Sequence, residues 1–116
     1  MDSFQGSRNI VLQPNDRAVP YDFEFTVCSA AGANDGALPY GDSVSSVTVT
    51  AHTEEGADVT GELINGTPVV DNNTVTVALD YPSTSGPGTY HLTFVVTTDN
   101  GVRIEFDFNR IRARDV

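Results

Sequence analysis

The sequence predicts an all-β domain, an antiparallel sandwich of about seven strands with no disulfide. Three observations carry that reading. Fifteen Val and thirteen Thr make up a quarter of the 116 residues, so β-forming side chains run along the whole chain. Five segments alternate apolar and polar residues with period two, and no stretch of ten or more residues has the apolar spacing of a helix. A single cysteine cannot form an intrachain bridge.

Residues 1–20 read as an N-terminal arm. They are polar, carry Pro14 and Pro20, and hold only the short apolar run Ile10-Val11-Leu12. The sandwich then takes residues 21–116, with a short basic end. In residues 21–28, Tyr21, Phe23, Phe25 and Val27 face one way, with Asp22, Glu24 and Thr26 opposite. Residues 30–42 are rich in Gly and Ala and read as a long loop. Residues 44–51 set Val47, Val49 and Ala51 against Ser46, Thr48 and Thr50. Short strands are expected at residues 62–64 and 67–70. Residues 74–81 place Val75, Val77, Leu79 and Tyr81 on one face, and residues 83–88 hold Pro87 between two glycines, which stops a strand. Residues 89–98 and 102–109 complete the set, with Tyr90, Leu92, Phe94 and Val96 in one and Val102, Ile104, Phe106 and Phe108 in the other.

Parity fixes the turn between the last two strands. A two-residue loop at Asn100-Gly101 pairs Val96 with Glu105 and puts opposite faces together. A three-residue loop Asp99-Asn100-Gly101 pairs Val96 with Ile104, Phe94 with Phe106 and Leu92 with Phe108, and keeps the core on one side. Gly101 then takes the positive-φ position of the bulged type I turn. The same device, applied to Asp71-Asn72-Asn73, pairs Val69 with Val75 and puts Asn73 in the left-handed position.

The charge balance is one-sided: sixteen acids against six bases, a net charge of −10 and a pI near 4.2. A field of this sign repels phosphate and argues against nucleic acid or an anionic membrane as partner. No apolar run approaches the roughly 18 residues that span a bilayer, and the first residues show no signal-peptide pattern. All six bases are Arg, and Arg103, Arg110, Arg112 and Arg114 lie in the last fourteen residues. Arg110, Arg112 and Arg114 alternate, so an extended strand projects them from one side. With Phe4, Ile10, Val11 and Leu12 as apolar anchors, they are the candidate partner contacts.

Catalytic chemistry finds little support. Nucleophilic catalysis needs a base beside the nucleophile, and only His52 and His91 are available. His91 has the polar parity of its strand, His52 ends a strand before Glu54-Glu55-Gly56, and no Gly-x-Ser-x-Gly elbow is present. Cys28 reads as a small apolar side chain closing a strand. Asp and Asn gather in loops at Asn34-Asp35, Glu54-Glu55 with Asp58, Asp71-Asn72-Asn73 and Asp99-Asn100. Such loops can pool oxygens for calcium, but the Asp-x-Asp-x-Asp-Gly spacing is missing and these residues are ordinary turn formers. The expectation is a non-enzymatic protein with no cofactor and no metal.

Gly88-Thr89-Tyr90-His91-Leu92 looks like the tyrosine corner of immunoglobulin-like sandwiches, with Leu92 where the second disulfide cysteine stands. The chain from Tyr21 to Arg114 resembles a family of small immunoglobulin-like virion proteins of tailed bacteriophages, the fibre–tail adaptors, and is similar to the N-terminal domain of baseplate upper proteins. The resemblance runs through Tyr21-Asp22-Phe23-Glu24-Phe25, then residues 41–49, Thr74-Val75-Thr76-Val77, residues 88–98 and the basic closing strand 103–112. It implies a virion structural protein, an adaptor at the neck or tail, present in several symmetric copies or as a homo-oligomer and assembled in the host cytoplasm beside other virion proteins. A capsid decoration protein that stabilises the head is the alternative of the same class. A carbohydrate- or calcium-dependent adhesion module is the alternative of another class; it wants exposed aromatics, whereas most aromatics here have core parity.

Overall fold

The computed structural model describes residues 9–114. Phe4, one of the expected anchors, lies outside them. The described residues form seven strands and one helical turn: β1 (Ile10–Leu12), β2 (Val19–Glu24), β3 (Val44–Thr53), α1 (Thr60–Leu63), β4 (Val69–Asp71), β5 (Thr74–Leu79), β6 (Gly88–Thr98) and β7 (Arg103–Ala113). They stack as two sheets, one ordered β1-β7-β6-β3 and the other β2-β5-β4. The second, third, fourth, fifth, sixth and seventh strands thus divide as in an immunoglobulin-like sandwich, with β1 added beside the last strand.

The core is what period two dictates. Val75, Val77 and Leu79 of β5 are fully buried, as are Leu92, Phe94 and Val96 of β6 and Phe23 of β2. Phe23 and Phe94 join the two sheets with ring centroids 4.8 Å apart, and Phe108 meets Phe23 edge-on at 5.2 Å. Phe25 packs on Phe106 at 4.9 Å, so a cluster of rings ties the two sheets together without a disulfide. The β6–β7 hairpin has the expected register: Val96 faces Ile104, Phe94 faces Phe106 and Leu92 faces Phe108, with Gly101 at φ 83°. Ile104 and Phe106 are only half-buried.

Four expectations are corrected. The arm is not separate from residue 10 onward. Ile10 and Leu12 are 1% and 0% exposed, because β1 lies on the end of β7 and turns both side chains into the core. That pairing is parallel, Ile10 with Ile111 and Leu12 with Ala113, while the other strand pairings are antiparallel as expected. The chain then crosses to the other sheet through residues 13–18, tied down by Ala18, whose N–H donates to Asp80 Oδ1. Residues 62–64 are not a strand. Asp58 Oδ1 accepts the Thr60 N–H, the chain makes the single turn α1 with Leu63 buried beneath it, and only Ile64 bridges to Leu79.

The turn at residues 71–74 has two central residues, not three: Asp71 pairs with Thr74 and Val70 with Val75, and Asn72 takes φ 58°. Asn73 instead bonds in two directions, its Oδ1 accepting the Val44 N–H from the other sheet and its carbonyl accepting the Phe25 N–H beside β2 in its own. The last strand, finally, continues past Asn109 to Ala113. The loop at residues 30–42 is held by a bridge between Val27 and Leu38, and Gly36 has no room for a side chain there, since a Cβ would stand 2.4 Å from the Cys28 nitrogen.

Candidate functional site

The three arginines reach the surface through an irregularity in β7. From Ile104 to Phe108 the even-numbered residues turn inward, and an unbroken strand would carry Arg110, Arg112 and Arg114 inward as well. The register slips between Tyr90, which pairs with Ile111, and Leu92, which pairs with Phe108. Asn109 and Arg110 therefore share the place opposite His91, the signature of a β-bulge. Beyond it the phase is reversed. Ile111 and Ala113 are buried, and all three arginines are exposed on the outer face.

Across that face the strands set Val11, Arg112 and Thr89 in one row, with β1, β7 and β6 contributing one residue each. The arginines, this row, Asn9, Asn109, Ile10 and Ile111 line an open depression of about 610 Å³. Five of the seven contact residues named from the sequence meet here: Ile10, Val11, Arg110, Arg112 and Arg114. Leu12 is in the core, and Phe4 is outside the described residues. Val11, 40% exposed, supplies the apolar patch, while Ile10 is too deeply buried to anchor a neighbour. Asn9, Thr89 and Asn109 are not among the contact residues expected from the sequence; the fold brings them to the site, Thr89 by pairing with Arg112. No Asp or Glu stands among the described residues that line it, although the chain has sixteen. Guanidinium forks over a polar and apolar floor are suited to carboxylates, which they grip with paired hydrogen bonds.

The acids lie elsewhere and serve the fold. Asp35 accepts from both the Ser29 N–H and hydroxyl, and these bonds hold its carboxyl below the ordinary range. Asp58 is held down in the same way by the Thr60 hydroxyl and N–H, with His52 adding a smaller attraction. Asp42, 6% exposed, is lowered chiefly by the Thr98 hydroxyl and also by the Ser43 and Asn100 N–H groups, which outweigh its desolvation. A second depression, lined by Asp16, Glu62 and Asp80, has its carboxylates in use: Asp16 takes the Gln13 N–H, Glu62 the Ser85 hydroxyl and Asp80 the Ala18 N–H. No group of three His, Cys, Asp or Glu able to hold a metal occurs among the described residues.

His52 and His91 are direct cross-strand partners on the outer face, and each is partly exposed. Cys28 is spent on a weak bond from its Sγ to the Gly36 carbonyl. The tyrosine corner has its defining contact, the Tyr90 hydroxyl donating to the Gly86 carbonyl four residues upstream. Fold and corner together define a disulfide-free, immunoglobulin-like β-sandwich. No family model matches the chain, and no curated protein matches it.

Proposed function

We propose that the chain is a non-enzymatic structural protein of a tailed-bacteriophage virion, an immunoglobulin-like adaptor at the neck or tail that joins virion components through the arginine-lined face. The observation that supports this most is the pocket itself. An acidic chain gathers half of its six arginines around one depression, and no acid stands among the described residues that line it. A neighbouring subunit presenting carboxylates is attracted to that spot and repelled from the rest of the surface, which orients the encounter. The resemblance in residues 21–114 to small virion proteins supplies the setting.

Quantitative mass spectrometry of purified particles tests the reading. The adaptor requires the chain in copies that are multiples of six, the symmetry of a tail. Copies in the hundreds would replace it with a capsid decoration protein, and absence from particles would end the virion reading altogether.

A further inference from the structure

The chain has two histidines, and the register of β3 and β6 sets them directly opposite one another as His52 and His91. The backbone fixes how they meet. On the side of β3 away from β6, the Ala51 carbonyl accepts the Val59 N–H and Thr53 donates its N–H to the Ala57 carbonyl. The backbone groups of His52 between them therefore turn toward β6. His52 and His91 are thus a hydrogen-bonded pair, with Cα atoms ~5.5 Å apart and Cβ atoms ~5 Å apart on the same face. Ala51 and Leu92, the next pair along, are both fully buried, which pins the two strands beneath the imidazoles. Each imidazole is partly exposed, and neither makes a hydrogen bond among the described residues.

Charged groups flank the pair on both sides. Asp58 bridges to His52 from the other side of β3, so Asp58, His52 and His91 form one row across the sheet. The Oδ1 of Asp58 accepts the Thr60 N–H and hydroxyl, and its carboxylate feels the attraction of His52. Beyond His91 stand Asn109 and Arg110 of the β7 bulge, both lining the arginine depression. Along the strands the next outward pair is Thr50 with Thr93, whose hydroxyl donates to Asp107.

We propose that His52 and His91 together chelate one divalent transition-metal ion of the copper, nickel and zinc group, through one ring nitrogen each. Metal–nitrogen bonds of ~2.0–2.1 Å set two ligating nitrogens ~3 Å apart around one ion. Rings rooted ~5 Å apart reach that separation by leaning together. Both roots are held by the β3–β6 ladder, so little backbone freedom is lost on binding. Imidazole selects these metals over calcium and magnesium, which take oxygen ligands. Asp58 adds negative charge on the flank of His52 and offsets Arg110 on the flank of His91, within a chain whose net charge of −10 attracts cations. With two protein ligands the other coordination positions stay open to water, so the ion exchanges, unlike a structural zinc held by four side chains. The proposal stands apart from the virion reading.

Calorimetric titration with nickel or zinc chloride tests it, at about pH 8 because only neutral imidazole binds metal. The parent chain is compared with His52→Gln and His91→Gln, with circular dichroism checking that each is folded. The parent should take one ion per chain, and each variant, having lost one of two ligands, should bind at least about tenfold more weakly. Calcium in excess should not displace the ion. A second measurement needs no variant: in the unaltered chain the imidazole NMR signals of both histidines should move together and level off at one equivalent of zinc. Unchanged affinity in either folded variant, or zinc-induced shifts confined to one histidine or absent from both, would overturn the proposal. Displacement by calcium would overturn it too, because carboxylates would then be holding the ion.

Discussion

Tyr90 and Asp42 are where single residues carry the most structure. Tyr90 is buried to its hydroxyl, and burial, followed by the nearby Glu62 charge, pushes its phenol above the usual range. Tyr90→Phe removes one bond to the Gly86 carbonyl and should cost about 0.5–1.5 kcal/mol in denaturant unfolding. Phe94, which touches both Phe23 and Phe25, should cost about 3–5 kcal/mol when cut to Ala. Asp42 gives a pH dependence with a definite sign. Its carboxyl is lowered from 3.8 in the folded chain, so the unfolded chain takes up its proton first. The stabilisation is therefore complete above that ordinary value and is lost as pH falls through the folded one. Acid titration of stability should show a shallower loss below about pH 4 in Asp42→Asn than in the parent chain. An identical acid limb in both would remove Asp42 from that role.

Among the elements, β7 decides where chemistry meets solvent. Its bulge makes Ile111 a core residue and Arg112 a surface one. Ile111→Ala should cost about 2–5 kcal/mol, whereas Arg112→Ala should stay within about 0.5 kcal/mol in the same unfolding experiment. The reverse order would mean an unbroken strand. The two hairpin turns show how far parity reads a sequence. At Asp99-Asn100-Gly101 only one register keeps Ile104 and Phe106 with Val96 and Phe94, so the turn was legible. At residues 71–74 both Val69 and Val70 can face Val75, and the choice fell to Asn73, whose bond to Val44 joins strands far apart in sequence. The bulge left a visible trace, the three-residue step from Phe108 to Ile111 where two is the rule. β1 left almost none: three residues in parallel with a strand a hundred positions away satisfy no local pattern. Parity alone grouped the three arginines on one side, but it was the wrong side until the bulge turned them outward.

At the scale of the whole molecule, charge and attachment are one subject. With a net charge of −10 the domain repels acidic surfaces in general, and under the proposed role the arginine face is the place that would attract an acidic neighbour. Exposed pairs of this kind weaken as salt rises, so if the proposed virion role holds, the chain should leave particles more readily at 1 M ionic strength, where the screening length is ~3 Å, than at 0.1 M, where it is ~10 Å. Release of bound chain, followed by sedimentation of particles across that range, checks it. The most direct measurement is competition for incorporation. Wild type and the triple variant Arg110→Gln, Arg112→Gln, Arg114→Gln are supplied together during particle assembly and counted in the purified particles, with melting temperatures of the two isolated chains compared alongside. Nearly equal melting temperatures with particles that hold wild type almost exclusively is the result that attachment through the β1–β7 face requires; equal incorporation of the two chains would contradict it.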